Sequence, residues 1–395
     1  MKKKLLIMAF TGLSGTMAFA ADLYVRNGGA GGAYPTVSTA ITAASDGDRI
    51  IIQPKANGEA YVENIIINKS LTFVSETSYA KYIIQGNVSI NPATGRTVTI
   101  SNLSSGNSGS YNVEATFPIG TGRTFLNIVN CDLHNVLTDK VNFTTNISGC
   151  TISGNLKFSH GRCTANKALS IAVVATQDSS PIGSDIEVYG NVSHSFISNS
   201  QPNYNFKFNN NFCSGIYIYN IKPGSSNEII NNTVYNAYPA DFAPFYVNLG
   251  VNNTNPGNIT IMNNAASFVV GATNSCIQNK SNTVSIAASY NIFTNSFITE
   301  GNMTQNDNTG SASLNFDTVA YTVAGMNLNA GNPAVKYTDL DLTRNDAGHY
   351  GGSNSWANYW PANNNNKPQV NYLSTPRTVT SGTFNISGSG FLNNI

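Results

Sequence analysis

The sequence predicts an all-β protein built as a parallel β-helix, a solenoid in which every winding adds a strand to a shared parallel sheet. Three observations predict it. A short β-rich run followed by an asparagine-centred turn keeps returning: 127–132 NIVNCD, 146–151 NISGCT, 208–213 FNNNFC, 229–234 IINNTV, 259–264 ITIMNN and 290–295 YNIFTN. Units spaced roughly 20–30 residues apart are the size of one solenoid turn. Only 10% of the 395 residues are charged while 41% are hydrophobic, with Ile, Val, Phe and Tyr prominent. Disorder needs low hydrophobicity together with high charge, so this chain folds, and it favours strands. Finally, 58 residues are Asn. Asn tolerates the left-handed backbone of a tight corner, and its amides can stack from coil to coil.

From the N-terminus, Met1–Ala20 reads as a secretory signal. Lys2, Lys3 and Lys4 form a basic start, LLIMAF opens an apolar stretch too short to span a bilayer, and Ala18-Phe19-Ala20 is a small-residue cleavage site. The signal contains no Cys and position 21 is Ala, which argues against a lipid anchor. No later run is long and apolar enough for a transmembrane segment. The mature chain is therefore expected to be secreted or on the cell surface, as a monomer. Loss of the three lysines takes the formal charge from +1 to −2, that is, 18 basic against 20 acidic residues. Neither value suggests nucleic acid or an anionic membrane as partner.

Val37, Ala40, Ile41 and Ala44 recur at i, i+3, i+4 and i+7, the spacing of one amphipathic helix. Ser45-Asp46-Gly47-Asp48 stops it and Arg49–Gln53 begins the first strand. A helix there covers the otherwise bare end of the solenoid. Roughly nine or ten coils follow between Val98 and Phe297. Alternation assigns the faces: Leu156, Phe158, Ile186, Val188, Phe206, Phe208, Ile216 and Ile218 point inward, and Lys157, Asp185, Glu187, Tyr189, Lys207, Tyr217 and Tyr219 outward. The five cysteines, Cys131, Cys150, Cys163, Cys213 and Cys276, have no metal-ligand spacing. Cys131 and Cys150 hold equivalent places in consecutive units, so they are interior rungs or, alternatively, one cross-coil bridge. Residues 362–367 form an Asn-rich linker. Residues 368–395 read as two or three short strands, too few to bury a core alone.

The stretch YPTVSTAITAASDGDRIIIQP with Tyr61–Phe73 resembles the opening of the pectate-lyase-like, right-handed parallel β-helix superfamily. Residues 331–361, with the pattern D-x-D…R-N-D-x-G-x-Y-G-G, resemble the closing segment of secreted β-helix proteins of the Bacteroidetes type, which implies a C-terminal cap. The resemblance implies one right-handed β-helix over 21–361 that acts on polysaccharide or adheres to it. It further implies how a lyase site would be built on the outward face around 157–246. Asp185 and Glu187 would hold Ca²⁺, and Lys157, Arg162 or Lys207 would remove the proton α to a uronate carboxylate. Family sites usually draw on three or more carboxylates, and this face offers two.

Other readings compete. Opposite charges on a strand surface are commonly solvated cross-strand partners. Asp185 and Glu187, about 7 Å apart on one strand face, satisfy the spacing for glycoside hydrolysis, but no denser Asp cluster with a His accompanies them. Tyr189, Tyr217 and Tyr219 offer flat rings for stacking on sugars. Asp339, Asp341 and Asp346, spaced D-x-D-x-x-x-x-D in a Gly-flanked loop, offer oxygen ligands that suit Ca²⁺, or serve as turn caps beside Arg344. His134, His160, His194 and His349 are scattered and match no catalytic pattern. The expected function is binding of a polysaccharide or cell-surface glycan, or adhesion, without a clear catalytic site. Its alternatives are Ca²⁺-assisted β-elimination on uronic-acid polymers, and an inert surface spacer.

Overall fold

The computed structural model describes residues 20–77, 80–106, 109–116, 123–140, 142–174, 185–236, 242–250, 252–268, 275–359, 368–374 and 386–392. The expected signal, through residue 19, and the expected linker at 362–367 lie outside them. The chain is an all-β parallel solenoid with three flanks. Face 1 is a sheet of 13 parallel strands, from Asp22–Val25 to Met303–Asn306. Faces 2 and 3 share a 20-stranded sheet, because the chain bends between them without leaving it. One coil runs Phe206–Asn209 on face 1, Phe212–Cys213 on face 2 and Gly215–Ile218 on face 3. The next coil pairs with it in register, Phe208 with Ile229, Phe212 with Thr233 and Ile216 with Phe245. Of the 13 strands of face 1, three precede Thr97 and one follows Ser289, leaving nine across the expected repeat region.

Alternation places the core as expected. Leu156, Phe158, Ile186, Val188, Phe206, Phe208, Ile216 and Ile218 are each completely buried. Side chains of this size contribute roughly 1.5–3 kcal/mol apiece when withdrawn from water. The expected helix occupies Val37–Ala43, with Val37, Ala40 and Ile41 buried and Ala44 as its buried C-cap. Its ends are held by the coils beneath. The Glu63 carboxylate accepts the Val37 and Ser38 N–H groups at 2.9 and 3.0 Å, and Lys69 Nζ donates to the Ile41, Thr42 and Ala44 carbonyls. Arg49–Ile52 is not the first strand, however. Asp22–Val25 precedes it and pairs with it in parallel.

The asparagine turns are two-residue corners between faces 1 and 2. The first residue is left-handed: Asn130, Gly149, Ala165, Gly190, Asn210, Asn231, Asn263 and Tyr290 all have φ between 53° and 64°. The second points into the rod. There Asn166, Asn191, Asn211, Asn232, Asn264, Asn291 and Asn308 form a continuous amide ladder, each Nδ2 donating to the next Oδ1 at 2.8–3.0 Å. Each Nδ2 also donates to a carbonyl one coil back, as Asn211 does to Val188 O at 2.9 Å. Cys131 and Cys150 occupy the same column, with Cys131 N–H on Cys150 Sγ and Cys150 N–H on Asn166 Oδ1. All five cysteines are buried free thiols. Burial pushes the Cys163 and Cys213 thiols up to about 12.

The described part of the expected C-terminal cap lies along the side of the rod. After the hairpin Leu314–Asp317 and Thr322–Gly325, the chain doubles back along the outside of the face 1/face 2 corner. Asn210 Nδ2 donates to the carbonyls of His349 and Gly351, and Asn231 Nδ2 to Asn345 Oδ1 and the Asp346 carbonyl. The described residues 331–359 of the expected cap therefore form a lateral strap instead. Its recognition of the corner depends on the left-handed Asn column, whose side chains project outward. Gly190 shows how tight the fit is: a Cβ there would lie 2.2 Å from the Tyr359 ring. Pro368–Ser374 and Ser387–Leu392 pair antiparallel. No helix among the described residues is long and apolar enough to cross a membrane.

Candidate functional site

The outward row of face 3 carries the strongest constellation. Register stacks Lys157, Ala172, Ser198, Tyr217, Tyr246, Gln278 and Glu300 in successive coils. The Tyr217 ring lies back over Gly215, whose missing side chain leaves room for it. Phe196 packs on it at 5.4 Å between ring centres, and Phe242 at 5.7 Å. Phe242 in turn packs against Tyr246, the ring centres 4.5 Å apart and the planes tilted by 42°. Tyr217 and Tyr246 are buried by this packing, 7% and 6% exposed, whereas Phe196, Phe242 and Tyr219 are 37–38% exposed. Burial pushes the Tyr217 hydroxyl up to about 12, so it stays a neutral donor.

Polar groups rim the rings. Asn248 Nδ2 donates to the Tyr246 hydroxyl at 2.6 Å. Gln278 Nε2 donates to Glu300 Oε2 at 2.6 Å, and Lys280 pairs with the same carboxylate. The hydrogen bond from Lys280 holds Glu300 below the usual carboxylate range. Gln278 is 6% exposed, and its buried Oε1 has no hydrogen-bond partner among the described residues. A buried amide oxygen left unpaired costs about 1–3 kcal/mol. The arrangement is an apolar platform with amide and hydroxyl groups at its margin, which suits a ligand offering C–H faces and hydroxyls.

The expected acid–base constellation divides between two flanks. Lys157 stands on face 3, while Arg162, Glu187 and Lys207 stack on face 1, followed by Glu228. Arg162 Nε donates to Glu187 Oε2 at 2.8 Å, an ion pair between half-buried groups. Asp185 is exposed just before this strand. The grouping of Lys157 with Lys207 thus fails, because the corner between faces separates them. Tyr189 is not an open aromatic either: it is 5% exposed and packs with Ala165 and Tyr359 under the strap. Tyr217 is likewise covered, and Tyr219 alone of the three expected rings is open.

The strap carboxylates act as turn caps. Asp339 accepts the N–H groups of Asp346 and Gly352, Asp341 the N–H and hydroxyl of Thr343, and Asp346 the N–H of Asn329. Burial pushes Asp339 up to about 6, against the lowering effect of the Gly352 N–H. Among the described residues no group of three or more His, Cys, Asp or Glu side chains could hold a metal ion. Behind the strap, His349 is completely buried beside Phe212, Tyr350 and Trp356. Its Nε2 lies 2.9 Å from the Tyr321 carbonyl, which can only accept, so that nitrogen carries the proton. Nδ1 then accepts from Thr233 Oγ1 at 2.6 Å. Burial lowers this imidazole to about 3.

Sequence reading missed Phe196, Phe242, Asn248 and Gln278. Phe196 opens an alternating strand and was legible as an outward residue. Nothing local marks the other three as its neighbours. No protein-family model matches the chain, and no curated protein is significantly similar to it. Fold and site together define a class only, a parallel β-solenoid with an aromatic flank.

Proposed function

We propose that this is a secreted or surface-exposed solenoid that binds a polysaccharide or cell-surface glycan along face 3. The observation that carries this reading is the pair of half-exposed rings, Phe196 and Phe242, packed on Tyr217 and Tyr246, with the half-exposed Tyr219 following Tyr217 two residues on. Aromatic faces stack on the C–H faces of sugars, while the half-buried Asn248 amide at the margin of the rings would bond sugar hydroxyls. The solenoid supplies a rigid support on which a polymer can lie across several coils. The Met1–Ala20 leader would deliver the protein to the compartment where such glycans occur.

Native gels cast with a panel of neutral and acidic polysaccharides test it. At least one glycan should retard the protein, with Phe242→Ala and Tyr219→Ala each weakening retardation about fivefold or more, in line with roughly 1 kcal/mol for a lost ring contact. Lys207→Ala, on the opposite flank, should leave retardation unchanged. Migration unaffected by every glycan would favour the spacer reading. Ca²⁺-assisted β-elimination draws less support from the geometry, since Arg162 is engaged by Glu187 and Lys157 faces another way. Unsaturated product accumulating with a uronic-acid polymer, and lost in Lys207→Ala, would reverse that order.

A further inference from the structure

We propose that Asp48 is a docking site for the amino terminus created when the leader is removed, so that processing completes the N-terminal cap. The inference rests on the reading of residues 1–20 as a cleaved signal, and on the geometry around Ala21. Asp22–Val25 is the outermost strand of face 1; it pairs along its length with Arg49–Ile52, and Val25 forms an isolated bridge to Tyr34 on the other side. One residue ahead of it, Ala21 N–H donates to Asp48 Oδ1 at 2.7 Å, while the Ala21 carbonyl accepts the Arg49 N–H at 2.9 Å. The other carboxylate oxygen, Oδ2, accepts the Ser45 N–H at 2.7 Å.

Asp48 is only 7% exposed, and among the described residues no cation pairs with it. Arg49 is engaged by Asp22, and Lys69 by the helix carbonyls. A carboxylate withdrawn from water without a countercharge is unfavourable. Hydrolysis of the Ala20–Ala21 bond supplies that countercharge. Water adds across the amide; the new carboxylate leaves on Ala20 with the leader, and the nitrogen that already touches Asp48 becomes an ammonium. A hydrogen bond from an uncharged donor to the carboxylate thereby becomes an ion pair between opposite charges. Register makes the fit specific, because a start one residue earlier or later moves the charge by about 3.3 Å along the strand. Ala20 and Ala21 are exposed, so the bond is open to a protease.

The test compares full-length mature protein beginning at Ala21 with the same chain acetylated on Ala21, each with Asp48 and with Asp48→Asn. Amide exchange at Leu23–Val25 and Ile50–Ile52 is the readout. The free amine should slow exchange roughly five- to tenfold, and the difference should vanish in Asp48→Asn. Equal protection in the free and acetylated proteins overturns the ion pair, as does a difference that survives Asp48→Asn. Should Asp48→Asn not fold, the free-versus-acetylated comparison decides alone. Mass analysis of protein exported with its own leader checks the processing reading separately. A first residue of Ala21 supports it, and any other first residue overturns it, whatever the exchange data say of Asp48.

Discussion

Two asparagine ladders run along this rod, and they do different work with the same side chain. The inner one, Asn166 to Asn308, lies at the face 1/face 2 corner, and every member from Asn166 to Asn291 is completely buried. The outer one climbs the early coils through Asn64, Asn87, Asn112, Asn135 and Asn155, linked by contacts of 2.8–3.0 Å, and ends on Ser170. Its members are exposed or half-buried. The difference teaches that an amide ladder is obligatory only where water cannot replace it. Inside, each amide satisfies backbone groups that the corner has removed from the strand ladder. Outside, solvent can take over each bond when a rung is lost.

Breaking the inner ladder should have the largest effect. Asn232 Oδ1 accepts from both the backbone and the side chain of Asn211, and its Nδ2 donates to Phe208 O at 2.7 Å. Asn232→Ala would orphan a buried N–H and a buried carbonyl at once. The expected destabilisation is about 3–5 kcal/mol, read as a lowered denaturant midpoint. Midpoints within about 1 kcal/mol of the parent would show that the inner ladder is no more constrained than the outer.

The strap sharpens the comparison because it clasps the outward residues of that same corner. His349 is neutral in the fold, with its pKa lowered from 6.5 to about 3. The unfolded chain therefore takes up a proton first, and stability falls as pH drops from about 6.5 towards 3, by up to about 1.4 kcal/mol per pH unit. Asp339 has the opposite sign. Its pKa is raised from 3.8 to about 6, so the fold takes up the proton first and gains stability as pH drops through that range. The two should largely cancel between pH 6 and 4. Asp339→Asn removes the compensation, and acid loosening, followed by fluorescence of Trp356 beside His349, should begin nearer pH 6. An unchanged onset would refute the assignment.

How far the sequence could be read follows from the same physics. The corner units and inward Leu, Ile, Val and Phe were legible because each is set within a few residues. The asparagine excess was legible as ladders too, since amides stacked at coil spacing need only a repeated corner. Long-range placement was not. Asn231 meets Asn345, 114 residues away, at 3.0 Å, and no local pattern in 331–361 distinguishes a strap from a cap. Tyr189 has the outward parity expected of it, yet the strap buries it, so parity fixes direction and not exposure. Lys157 and Lys207 share that parity too, but coils of unequal length put them on different flanks.

In the outer ladder the expected loss is smaller. Asn135 Nδ2 donates to Asn112 Oδ1, and Asn135 Oδ1 accepts the Asn155 N–H. Asn135→Ala should cost about 1 kcal/mol, because water can reach the freed groups. A loss matching that of Asn232→Ala would erase the distinction between the two ladders.

The smallest effect is expected where the inner ladder changes residue type. Cys131 and Cys150 continue its column, but thiols are weak donors, and Cys150 Sγ lies 3.9 Å from Ile128 O where an asparagine rung would make a true hydrogen bond. Cys150→Asn should lengthen the ladder by one rung, since its Oδ1 can accept the Cys131 N–H and its Nδ2 can reach the Ile128 carbonyl. The larger side chain must be accommodated at a position only 1% exposed, so gained hydrogen bonds and crowding oppose each other. A net change within about 1 kcal/mol is expected from thermal unfolding. A loss of several kcal/mol would show that the early coils are too tightly wound for an amide, and that the change from Cys to Asn along the column is set by coil diameter rather than by hydrogen-bonding need.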